Sequence, residues 1–235
     1  MRDVLIAGAS SALAQALAAR LCAQGDRVIG LCRDSRLRPN FEDIVQCAYT
    51  EAGLSRAVAH IQKRGYKPSL FVCCVGVLHD SLVVPEKRLA DIQFYALEHY
   101  FAVNTIVPAL LLKHIVSVLD ANSEPRMAFL SAKVGSIEDN RLGGWYGYRA
   151  SKAALNMLIK TSAIELARRY SGICVVAVHP GTTHSALSEP FVDRIPKGKI
   201  YSPQQSAERL CNVIDGLSAE DNGQFFHWDG SRLPW

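Results

Sequence analysis

The sequence predicts an α/β fold in which a doubly wound parallel sheet carries helices on both faces. Three observations support this. Continuous apolar runs alternate with helix-length segments, the pattern of strands buried on both sides. The polar features of chemical interest fall at the ends of those runs, where sheets of this kind bind their ligands. The length of 235 residues, with 49% hydrophobic and 20% charged content, suits one α/β domain (1–235) with a full-sized core.

Residues 4–7 (Val4-Leu5-Ile6-Ala7) form the first strand, closed by Gly8. An alanine-rich helix over 12–24 stops at Gly25, which suits the left-handed conformation of helix ends. The second strand is 27–32, ending at Arg33, and the third is 44–47. A helix over 55–64 halts at Gly65, and 70–75 is a fourth, wholly apolar strand ending at Gly76. One long helical region covers 89–119, with Pro108 near its middle and Asn104 just before it. The fifth strand is 126–130. The helix that follows carries Tyr148 and runs to 169. The sixth strand, 173–178, ends at His179-Pro180-Gly181; residues 182–203 read as irregular, 204–217 as a helix and 225–228 as the last strand. Right-handed crossovers between such strands give the doubly wound arrangement.

Several classes are set aside. Mean hydropathy is +0.07, and no run reaches the ~18 uninterrupted apolar residues of a membrane span. The opening residues pass straight into a strand, without the basic stretch and small-residue cleavage site of a signal peptide. The net charge of +4 is not gathered into a run, so no nucleic-acid partner is expected. The seven cysteines lie scattered in apolar surroundings with no metal-ligand spacing, which fits free thiols in a reducing cytoplasm.

The chemistry centres on Tyr148 and Lys152, which share a helix face one turn apart. A free phenol titrates near pH ~10, and a neighbouring ammonium favours its ionised form. Gly8-Ala9-Ser10-Ser11-Ala12-Leu13 joins the first strand to the first helix, where a dinucleotide pyrophosphate rests on helix N–H groups. Ala12 and Ala14 occupy the later glycine positions of such turns, and an ordinary helix cap fits the same residues. Arg33 stands where an acidic residue would hold the ribose of NAD; its guanidinium suits a 2′-phosphate, so NADP is expected rather than NAD. A solvated arginine is the alternative reading.

In this order the pieces resemble the short-chain dehydrogenase/reductase family over nearly the whole length, and within it the bacterial C-factor (C-signal)-like branch. The carrying features are the Gly8 loop, Val72-Cys73-Cys74-Val75-Gly76, Val103-Asn104-Thr105, Ser131-Ala132-Lys133-Val134-Gly135, Tyr148-x-x-x-Lys152, Pro180-Gly181, Trp228-Asp229-Gly230 and Leu233-Pro234-Trp235. The resemblance implies a seven-stranded Rossmann fold, a nicotinamide cofactor and a small carbonyl or alcohol substrate. It implies Tyr148 as acid/base, and Lys152 as the group that depresses the phenol pKa and holds the nicotinamide ribose. Asn104 would anchor a water relaying protons to Lys152. Gly76 would give backbone room, Thr183 would fix the carboxamide beside Pro180 and Gly181, and Ser185 would reach the pyrophosphate. Residues 186–203 would be a lid, and helix pairing across a two-fold axis would give a homodimer or homotetramer.

One departure bears on function. The family's substrate-orienting serine lies three residues before the glycine of the fifth-strand motif, and that position here is Ala132. Ser131 and Ser136 are the two candidates to replace it. The expectation is therefore an NADP-dependent oxidoreductase, with a dinucleotide-binding signalling or scaffold protein of vestigial activity as the alternative.

Overall fold

A computed structural model describes residues 1–185, 188–189, 198 and 200–235. Seven parallel strands form the main sheet: β1 (Asp3–Ala7), β2 (Arg27–Cys32), β3 (Asp43–Gln46), β4 (Pro68–Cys73), β5 (Arg126–Leu130), β6 (Cys174–His179) and, last in the chain, Phe225–His227. Two short strands, β7 (Thr182–Thr183) and β8 (Ile200–Tyr201), pair with each other apart from it, which makes the last strand β9. The order across the main sheet is β3-β2-β1-β4-β5-β6-β9. The chain winds outward from β1 to β3, then returns to β4 on the other side of β1. Between β1 and β4 lies the switch point, whose crevice opens at the carboxyl ends of the strands.

Strand residues alternate between two cores. Leu5 and Ala7 face α2 (Glu51–Lys63), α4 (Val107–Ile115) and α5 (Tyr146–Ala167). Val4 and Ile6 face α1 (Ala12–Ala23) and α6 (Pro203–Asp215). Both faces of β1 are fully buried, which is why its sequence is apolar without alternation.

The long helical region is not one α-helix. A 3₁₀ turn at Leu89–Asp91 precedes α3 (Phe94–Phe101), a π-helical turn spans Ala102–Ile106, and α4 leads into a second 3₁₀ turn at Val116–Val118. The Val107 amide donates to the Ala102 carbonyl, and Pro108, lacking an amide proton, cannot bond back to Asn104. By length and composition alone, Phe94–Val118 meets the test for a membrane-crossing helix. The sequence reading looked for an unbroken apolar run and so passed it over. In the fold this run supplies Leu111, Ile115 and Val118 to the core. The β7–β8 pair was also not expected in the segment read as irregular. Most of the lid expected over 186–203 lies outside the described residues.

Candidate active site

Tyr148 and Lys152 are both buried, on the first turns of α5 beside the carboxyl ends of β4 and β5. Three successive left-handed residues, Gly143, Gly144 and Trp145, lead into this helix; for the non-glycine Trp145 (φ 54°, ψ 44°) that conformation is strained. Lys152 Nζ donates to the Leu130 carbonyl at 3.0 Å. A Cβ at position 76 would stand 3.2 Å from that amine and 3.3 Å from Asn104 Oδ1, so glycine leaves the gap in which the ammonium lies. A Cβ at position 135 would be 2.8 Å from Lys152 Cβ, so the turn after β5 also closes onto α5 through a glycine.

The electrostatics differ from expectation. Burial lowers the Lys152 pKa to about 8 and pushes the Tyr148 phenol well above its ordinary value. Depression of the phenol by Lys152 is not what the protein alone produces, because the amine is turned to a carbonyl and the phenol sits in an apolar pocket. The Tyr148 ring packs edge-on against Tyr100 and Trp145, at 6.2 Å and 6.1 Å between centroids. Val77, Leu78, Val83 and Ala132 complete the cluster. Among the described residues nothing hydrogen-bonds the phenol oxygen, which leaves it for a substrate.

Asn104 is fully buried in the π-helical turn. Its side chain accepts from the Val77 amide at 2.8 Å and donates to the Val77 carbonyl at 2.9 Å and to Ser151 Oγ at 3.1 Å. The amide therefore clamps the chain leaving β4 to α5, and only the main-chain carbonyl is left for the water role expected of Asn104. Ser131 donates to Asn156 Oδ1 at 2.6 Å, and Ser136 donates to the Trp235 carbonyl at 3.2 Å. Both hydroxyls belong to the framework. Ala132 packs with Tyr148 and brings no hydroxyl, so the catalytic part expected of Ser131 finds no support in this arrangement.

At the switch point Gly8 has φ +79°, and a Cβ there would lie 3.0 Å from the Cys74 carbonyl carbon. Its amide donates to the Leu31 carbonyl and to Tyr49 Oη, both at 3.0 Å. Ser11 caps α1 by accepting from the Ala14 amide at 3.2 Å; Ser10 and Ala12 are exposed, and Leu13 is buried. No acidic residue stands in the first turn of α1, so its positive end can meet a phosphate. Arg33 is exposed. Two arginines that sequence reasoning passed over line a pocket with the phosphate-binding turn: Ser10, Gln15, Arg36, Leu37 and Arg38 surround about 330 Å³. Arg38 reaches Asp34 with two hydrogen bonds of 2.8 and 2.7 Å. The spacing Arg33, Arg36, Arg38 just after a strand was the available signal. The residues present thus fit a dinucleotide along the upper edge.

Beyond β6, Gly181 has φ +76°, and a Cβ there would be 2.8 Å from Trp228 Cδ1. Thr183 lies in β7; its hydroxyl donates to Ser206, and its carbonyl accepts from Ser188 at 2.6 Å and from Ser185 at 3.4 Å. Next to Pro180, the His179 imidazole is held near pKa 3 by burial and by the charges of His227 and Lys133, and its Nδ1 is buried without a partner.

Residues 2–195 match the profile of the short chain dehydrogenase family. Over 245 aligned residues, covering 100% of both chains, the protein is 26% identical to 1-hydroxy-2-glutathionyl-2-methyl-3-butene dehydrogenase of a Rhodococcus species. It is 31% identical to the C-signal protein of Myxococcus xanthus over 147 residues, 63% of this chain and 83% of that one. The fold matches the structure of NADPH-bound carbonyl reductase from chicken fatty liver with a TM-score of 0.85 at 23% identity, covering 100% of this chain and 94% of that one.

Proposed function

This chain belongs to the short-chain dehydrogenase family of oxidoreductases, and on that premise we propose that it is an NADP-dependent reductase of small carbonyl compounds, or a dehydrogenase of the corresponding alcohols. One observation carries the reading: a buried phenol and a buried amine lie one helical turn apart at the rim of the sheet's crevice, and no described residue hydrogen-bonds the phenol oxygen. The bound nicotinamide would supply the hydride. Tyr148 donates its proton to the substrate oxygen. Lys152, buried and with a pKa of about 8, is poised near neutrality to stabilise the phenolate and to pass a proton on. Asn104 holds Gly76 and Val77 in place, so that the amine keeps its gap. Gly8, Ser10 and the start of α1 receive the pyrophosphate, and Pro180, Gly181 and Thr183 flank the nicotinamide.

For NADP over NAD the support is the pocket that Arg36 and Arg38 line beside Ser10; the chicken relative of the fold is NADPH-bound. We place the protein in a reducing cytoplasm, on the seven free thiols. We also expect a homodimer or homotetramer joined through the outer faces of the 94–118 helical run and α5, where Ile106, Met157 and Ile164 are exposed. Ala132 favours the alternative of a dinucleotide-binding signalling protein, since a missing donor at the substrate slows the chemistry. The experiment is a panel of small aldehydes and ketones with NADPH and then NADH, reading cofactor oxidation. Turnover with NADPH preferred is the expected result; tight NADPH binding with no turnover on any carbonyl overturns the reductase reading in favour of the alternative.

A further inference from the structure

Glu86 lies in the segment between β4 and α3, sixty residues before the helix it meets, and nothing in the reaction outlined above uses it. It is buried, with 4% of its surface exposed. Its Oε2 accepts from the Gly147 amide at 3.1 Å, and its main-chain carbonyl accepts from the Trp145 amide. The first turn of α5 has no acidic residue of its own, and Trp145 at its cap makes no side-chain capping bond. One residue from elsewhere in the chain thus satisfies two of the amides at the start of the catalytic helix.

The neighbouring side chains are shaped to admit it. A Cβ at Gly147 would lie 2.9 Å from Glu86 Oε1 and 2.5 Å from the Tyr100 ring, so that position has room only for glycine. Tyr100 is fixed by its hydroxyl, which donates to the Leu78 carbonyl at 2.7 Å, and its ring packs edge-on against Tyr148. Glu86 Oε1 is buried without any partner. Packing alone does not require such an oxygen, since an apolar residue of the same size would fill the space without the desolvation cost.

We infer that Glu86 is a positioning residue for Tyr148: from outside the helix it closes the first turn of α5, and so holds the turn from which Tyr148 packs on Tyr100. The inference rests on Tyr148 being the proton donor.

Two variants test this. Glu86→Gln keeps an acceptor for Gly147 and removes the carboxyl; Gly147→Ala keeps the carboxyl and presses on Glu86 and Tyr100. With NADP⁺ bound, the phenolate absorbance of each protein is titrated against its own Tyr148→Phe partner, and kcat, KM and NADPH Kd are measured separately. In Glu86→Gln, which keeps an acceptor for the Gly147 amide, the Tyr148 ionisation and kcat should stay close to wild type, with NADPH Kd unchanged. In Gly147→Ala, kcat should fall by about tenfold with little change in KM. A displaced Tyr148 ionisation in Glu86→Gln, or wild-type kcat in Gly147→Ala, would overturn the inference. A wild-type protein inactive on every carbonyl would instead remove the reductase reading and leave the titration result standing.

Discussion

Replacing Lys152 by methionine should change how stability responds to pH in a way that can be worked out beforehand. The amine is fully buried, and its pKa falls from 10.5 to about 8 because burial penalises the charged form. Below the folded value both states carry the proton, and the fold bears the full penalty of about 3 kcal/mol. Between about pH 8 and pH 10.5 the unfolded chain holds the proton that the folded protein has released, so stability rises with pH across that window. Lys152→Met removes the group without removing much volume. The wild type should therefore gain on the variant by about 1 kcal/mol between about pH 7 and pH 9, and by about 3 kcal/mol once both states are neutral. Loss of the 3.0 Å bond to Leu130 sets the offset between the two proteins, and the proton sets the slope. Cys73, the titrating neighbour, is pushed up to about 11 by burial, so it stays out of most of this range. Urea unfolding of both proteins at a series of pH values measures the difference. A difference that stays flat, or that falls as pH rises, would contradict the claim that the amine is dry.

Other substitutions probe the rest of the site. Arg38→Ala should weaken NADPH by about tenfold and leave NADH nearly unchanged, because Arg38 lines the same pocket as Ser10 and a 2′-phosphate there would share its guanidinium with Asp34; equal loss of both cofactors in fluorescence titration would reject the assignment. Ala132→Ser places a hydroxyl in the cluster that holds Tyr148 and should raise kcat, up to the ~10²–10³ that one such donor is worth. A fall in kcat would show that the pocket has no use for that donor. Trp235 stacks on Phe225 at 5.5 Å, while its carbonyl accepts from the Ile137 and Glu138 amides of the loop before α5. Trp235→Ala should cost about 2 kcal/mol in urea unfolding, and an unchanged midpoint would mean that the stack is idle.

The sheet was legible because a strand buried on both faces has to be apolar throughout, and 27–32 and 126–130 coincide with β2 and β5. The Tyr148–Lys152 pair was legible because helical spacing is local. What escaped was non-local or conformational. The strand read at 70–75 lies two residues late at both ends, since β4 is Pro68–Cys73; Val75 is apolar, yet the chain leaves the sheet after Cys73 and is taken up by Asn104. The bonds of Ser131 and Ser136 depend on Asn156 and Trp235, which no spacing rule connects to them. The sign of the Tyr148 shift depends on burial, and in sequence only the nearby charge was visible. Glu86 carried no signal at all, since its partner Gly147 lies sixty-one positions away.

The account stands or falls on the proton of one phenol. Tyr148→Phe removes an oxygen from a pocket otherwise lined by hydrocarbon and aromatic rings, so the fold and the NADPH affinity should survive intact. Carbonyl-dependent NADPH oxidation by that variant, at matched protein and cofactor saturation, is then the deciding measurement. A fall of about a hundredfold or more in kcat, with NADPH Kd unchanged, is expected from loss of the acid. Turnover at the wild-type rate would mean that the proton comes from another group.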